Sequence, residues 1–254
     1  MIQDSNGNII WGSQSAFPYR RLEYIDMYGK YYNTYNRPAK GYYYLDFKLD
    51  PNDPIDTNLG TYGIYLGSAG PLKRLFFGGK PSEIFQRLKN NADTTVKSYN
   101  DLNSNDKYCF GLRTYNTNNT AGQWWYMLVN QTTNTQLYGQ YYGNTTYAMN
   151  LSELPYMYIN AYAYNTSGTS AAPQAVATKG ALKFKLYRFY VKEDDSSSNI
   201  KWDYYPVQRK SDNAVGLYNV KTGSFTHMFN TDGTGVYTIT EPVADEYWDL
   251  TAPA

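Results

Sequence analysis

Along most of the chain, apolar and polar residues alternate one by one. From Gly41 to Asp50, Tyr43, Leu45, Phe47 and Leu49 share one parity, and Tyr42, Tyr44, Asp46 and Lys48 the other. Successive side chains of a β-strand point to opposite faces, so this pattern predicts a half-buried strand. It ends at Asp50-Pro51-Asn52-Asp53-Pro54, where proline removes ladder donors. Tyr62 to Leu66 and Leu72 to Phe77 read as two more strands. Trp124 to Val129 is a β-prone run, followed by a turn at Asn130 to Asn134 and a returning strand from Thr135 to Tyr142. From Tyr156 to Tyr164 the alternation is cleanest, with Met157, Ile159, Ala161 and Ala163 facing one way and Tyr156, Tyr158, Asn160, Tyr162 and Tyr164 the other. Leu182 to Leu186 opens a further strand, but Phe189 and Val191 sit out of step with it, which predicts a bulge near Tyr187 and Arg188.

One stretch has a different period. In Pro81 to Lys89, Ile84, Phe85 and Leu88 fall at helical spacing behind Ser82, an N-cap residue, and predict a short helix. Near the end, Lys221-Thr222-Gly223 supplies the positive φ of a tight hairpin, flanked by Leu217, Val220 and Phe225 as core anchors. The fold class that follows is all-β: a two-sheet antiparallel sandwich with one short helix. It is expected over 19–240, with an N-terminal arm at 1–18 and an acidic tail at 241–254.

Composition narrows the chemistry. Lys plus Arg number 23 and Asp plus Glu 22, a net charge of +1, which gives no field for a polyanion and excludes bulk nucleic-acid binding. Cys109 and His227 are the sole residues of their kinds, so an internal disulfide and a His/Cys zinc site are both excluded. No stretch approaches the roughly 18 unbroken apolar residues of a membrane helix. Asp4 stands where a signal peptide carries positive charge, so folding is expected in a reducing cytoplasm.

Catalytic parts are missing. Jelly-roll glycosidases need acids at alternate strand positions, whereas Glu193-Asp194-Asp195 lies in a Ser-rich turn and Asp245, Glu246 and Asp249 in the tail. His227, between Thr226 and Met228, has no nucleophile elbow beside it. No catalytic residue is therefore assigned. Asp50, Asp53 and Asp56 in one loop offer oxygen ligands, and Ca²⁺ is the one cofactor that loop admits; their spacing departs from the EF-hand rule and reads first as a Pro/Asp turn.

What remains is aromatic. The chain holds 30 Tyr, 10 Phe and 5 Trp. Tyr156, Tyr158, Tyr162 and Tyr164 form one candidate face, and Trp124 and Tyr126, with Tyr141 and Tyr142, a second. Three readings stand side by side: a cross-strand ladder, a protein contact, or sugar stacking. Ile9, Ile10, Trp11 and Phe17 make the arm a candidate attachment element.

Five stretches taken together resemble a known family: Arg21 to Thr34, Phe184 to Tyr190, Trp202 to Val207, Val215 to Phe225 and Thr231 to Tyr237. Their order and spacing are similar to those of the laminin-G/concanavalin A-like modules of tailed-phage virion and gut bacterial surface proteins. The resemblance implies a jelly roll. It leaves function open, since such modules serve adhesins, binding modules and enzymes alike. Joined to the missing catalytic parts and the absence of a heptad stem, it implies a phage virion structural protein, a capsid decoration or head-fibre protein located in the virion. Its expected partners are other virion proteins and host surface glycans, with oligomerisation in the particle and no nucleic acid or membrane insertion. The alternatives are a glycan-binding adhesin of the tail or a bacterial surface and, least supported, a glycoside hydrolase.

Overall fold

The computed structural model describes residues 2–3, 9–10, 18–34, 41–49, 62–67, 73–80, 83–90, 93–99, 102–114, 124–142, 156–164, 175–179, 183–192 and 199–242. Side chains are described within 18–32, 42–49, 102–112, 127–139, 159–161, 183–192 and 199–242. The chain opens with β1 (Ile2–Gln3), β2 (Ile9–Ile10), β3 (Tyr19–Arg21), β4 (Ile25–Asp26), β5 (Lys30–Thr34), β6 (Gly41–Leu49) and β7 (Tyr62–Gly67). It continues with β8 (Lys73–Lys80), β9 (Glu83–Asn90), β10 (Asp93–Tyr99), β11 (Tyr108–Thr114), β12 (Trp124–Asn130), β13 (Thr135–Tyr142) and β14 (Tyr156–Ile159). It closes with β15 (Ala161–Tyr164), β16 (Ala175–Lys179), β17 (Phe184–Lys192), β18 (Ile200–Arg209), β19 (Val215–Asn219), β20 (Ser224–His227) and β21 (Phe229–Asn230).

Two antiparallel sheets form a β-sandwich. The ten-stranded sheet runs β13-β12-β11-β6-β17-β18-β19-β20, with β3 and β4 paired to β18 and β17. The seven-stranded sheet runs β10-β9-β8-β7-β14-β5-β21. Their facing sides meet in one apolar core. The larger sheet supplies Tyr43, Leu45 and Phe47 of β6, Phe110 and Leu112 of β11, and Phe184, Leu186, Phe189 and Val191 of β17; the smaller supplies Tyr32 and Ile159. The alternation read in Gly41 to Asp50 is thus the inward parity of β6, a central strand; the strand is not half-buried as expected, because Tyr42, Tyr44 and Asp46 of the opposite parity are buried as well.

The bulge expected near Tyr187 is present. Leu186 pairs with Phe47 and Arg188 with Asp46, so Tyr187 is the extra residue. It is needed because Leu186 and Phe189, three apart, both point into the core. One inserted residue restores the parity, and it leaves Arg188 pointing away from the core. The expected hairpins also form: β12 pairs β13 through the 131–134 turn. β19 pairs β20 with Gly223 at φ 71. Of the three anchors expected there, Leu217 is buried in the core, while Val220 and Phe225 are half-buried.

Two expectations are corrected. The helix expected over Pro81 to Lys89 is not formed; Glu83–Asn90 is strand β9, paired on both sides, with Leu88 opposite Leu75 of β8 and Thr94 of β10. An isolated nine-residue helix is marginal in water, while two flanking ladders satisfy the same backbone groups, so tertiary pairing overrides the local spacing. The strand expected from Tyr156 to Tyr164 breaks at Asn160, which has φ 57. β14 joins the seven-stranded sheet, and β15 pairs with β16 in a separate ribbon. Asparagine tolerates the left-handed conformation, and here its side chain adds a reason: Nδ2 donates to Met27 O at 2.7 Å and Lys30 O at 3.1 Å. The break thereby clips onto the turn between β4 and β5.

Late chain is tied to early chain. The Glu241 carboxylate is buried and accepts from the Asp26 amide at 3.0 Å, with Lys30 Nζ 3.7 Å away. The Glu23 amide donates to Pro242 O at 3.0 Å.

Candidate functional site

The outer face of the ten-stranded sheet carries a polar and aromatic array. The bulge in β17 sets Arg188 there, beside Asp46 of β6. Arg188 Nε and Nη2 donate to the two carboxylate oxygens of Asp203 on β18, at 2.7 and 2.8 Å. Asp203 is 1% exposed, and its own amide donates to Asn219 Oδ1 at 3.2 Å. Burial works against the guanidinium charge, but the hydrogen bonds and charge of Asp203 outweigh it and raise the Arg188 pKa. A parallel two-point contact of this kind fixes the plane of the guanidinium as well as its charge.

On the other side of Arg188 lies Asp46, 5% exposed, which accepts from Gln131 Nε2 at 3.0 Å. Cys109 stands opposite it on β11. Burial raises the Asp46 pKa, against the lowering effects of Cys109, Lys107, Arg188 and Gln131. Burial, then the charge and hydrogen bond of Asp46, also push the Cys109 thiol up. A thiol held protonated in this way is no nucleophile. Tyr190 belongs to the same group; burial and its neighbours Cys109 and Asp46 raise its hydroxyl pKa.

Rings and cations alternate across this face. Tyr44 of β6 stacks on Tyr190 of β17, with centroids 4.7 Å apart and planes 14° apart. Arg188 lies 4.4 Å from the Tyr190 centroid and 5.3 Å from that of Tyr205. Arg21 of β3 covers Tyr205 from 5.0 Å. Farther along, Tyr19 contacts Tyr218 and Phe225 at 4.7 and 5.4 Å, and Arg209 covers Phe225 at 4.6 Å. Cation–π contacts and a two-point ion pair hold these groups before any ligand arrives, the condition for low-cost recognition. Asp46 and Asp203 flank one guanidinium, and both oxygens of Asp203 are engaged by it.

The residues singled out from sequence are placed as follows. Trp124 and Tyr126 lie in β12, Tyr156 and Tyr158 in β14, and Tyr162 and Tyr164 in β15, with their side chains outside the described residues. Ile9 and Ile10 form β2, paired with β1; Trp11 and Phe17 lie outside the described residues, as do Asp50, Asp53 and Asp56. Among the described residues no three His, Cys, Asp or Glu side chains gather as a metal site, and no helix is long and apolar enough to cross a membrane. The array of Arg188, Asp203, Asp46, Tyr190 and Tyr205 was not singled out. Its one sequence signal is the outward parity of Tyr44 and Asp46 beside the bulge at Arg188.

No protein-family model matches the chain, and no curated protein matches it in sequence. Among solved structures, the crystal structure of Scytalido-glutamic peptidase with a peptide-based transition-state analogue aligns over 83% of this chain and 90% of that one, at 9% identity and a TM-score of 0.34. At that score the likeness carries nothing about activity.

Proposed function

We propose that this chain is a non-enzymatic structural protein of a phage particle, a surface-exposed decoration or head-fibre protein that binds partner virion proteins through the outer face of its ten-stranded sheet. The phage setting rests on the resemblance carried by the five stretches between Arg21 and Tyr237. The binding role rests on one observation: the half-buried band of Tyr190, Arg188, Tyr205 and Arg21, held in place by the buried Tyr44 beneath it, in which the thiol and the acids are committed to one another. Tyrosine and arginine are the side chains that most often dominate protein interfaces. Tyr205→Ala with Arg21→Ala should leave the circular dichroism unchanged and strip the protein from particles assembled in infected cells. Full incorporation of a folded double variant would refute the reading.

The same band also suits a sugar, because rings flanked by fixed donors stack on and hydrogen-bond a pyranose. Binding on a glycan array that Tyr205→Ala abolishes, with particle incorporation intact, would shift the role to a receptor adhesin.

A further inference from the structure

Every open sheet has two edges, and long uncharged edges invite pairing with another strand. Among the described residues, three of the four ends of the two large sheets are guarded. At the ends of the seven-stranded sheet, β10 carries Asp93, Lys97 and a register break between Thr95 and Lys97, and β21 is two residues long. At one end of the ten-stranded sheet, β20 is four residues long. At the other end stands β13, eight residues reading Thr-Gln-Leu-Tyr-Gly-Gln-Tyr-Tyr, with neither charge nor proline. Among the described residues a strand pairs with β13 only on its β12 side. Leu137 falls at the register break against β12 and is 41% exposed, one of the few large exposed apolar side chains among the described residues.

We propose that β13 is a self-association edge at which a second copy of this chain pairs antiparallel about a two-fold axis, fusing two ten-stranded sheets into one. The absence of charge points to a second copy, because no register of β13 against itself sets like charges opposite each other. Leu137, exposed on both strands, finds an apolar neighbour across such a seam. An isologous seam of this kind closes at two copies, since pairing about a two-fold axis uses the open side of β13 on both chains. The proposal stands apart from the phage reading.

The test is sedimentation of the full chain over a range of concentrations, as wild type, Leu137→Lys and Gln136→Lys. Wild type should sediment as a dimer, and each lysine variant should raise the dissociation constant at least about tenfold with an unchanged circular dichroism spectrum. Leu137→Cys should form a covalent dimer on oxidation, whereas wild type, whose lone Cys109 is buried, should not. A wild type that stays monomeric, assemblies beyond two, or lysine variants that dimerise as wild type does would each overturn the proposal.

Discussion

Replacing Arg188 with methionine keeps the length of the side chain and removes its charge. Asp203 is then left 1% exposed with no guanidinium on its oxygens. Removing one partner of a buried pair costs about 3–5 kcal/mol, because the remaining charge stays desolvated. The Arg188 side chain is 23% exposed, so water reaches part of the site and the lower end, about 3 kcal/mol, applies. At about 2–4 °C per kcal/mol for a chain of this size, the melting temperature should fall by roughly 6–12 °C. Urea denaturation gives the free energy and scanning calorimetry the temperature. The double variant Arg188→Met, Asp203→Leu removes both charges and should recover most of the loss, which separates the stranded carboxylate from lost packing. A loss below about 1 kcal/mol in the single variant, or a double variant no better than it, would show that the pair does not hold the outer face together.

Asp46→Asn tests the neighbouring carboxyl: burial raises its folded pKa, so its contribution to stability is complete below the unfolded value and lost as pH rises through the folded one. Wild type should therefore lose stability relative to Asp46→Asn as pH rises above the ordinary carboxylate range, read from urea midpoints at stepped pH. Asn160→Ala should cost about 1–2 kcal/mol for the left-handed backbone plus the two carbonyl contacts; Asn160→Gly should recover the backbone part alone, as calorimetry of the two variants would show. Cys109 should resist a thiol-reactive dye in the native protein and react fully in denaturant, and rapid native labelling would contradict its protonated, buried state.

Features set by near neighbours were legible in the sequence. β6 could be read because its inward residues are uniformly large and apolar, and the β17 bulge because Leu186 and Phe189 cannot both face a core from an unbroken strand. Gly223 marked its hairpin for the same local reason. β9 misled because Ile84, Phe85 and Leu88 satisfy a helical period, while the ladders that decide the matter come from β8 and β10. Asn160 hid inside perfect alternation because its partners, Met27 and Lys30, lie far back in the chain. The outer band shares that difficulty: Asp46 meets Arg188 only through the pairing of β6 with β17, and Arg188 meets Asp203 only through a side-chain fork that alternation does not encode.

The Glu241 contact has a consequence for biosynthesis. A ribosome delivers residue 26 long before residue 241, 215 positions later, so the Asp26 amide and Lys30 wait for their carboxylate while all the intervening strands are made. The seam between β4 and the Glu241 segment thus closes only after residue 241 has been made, and a product lacking 236–242 should emerge soluble only with chaperone help.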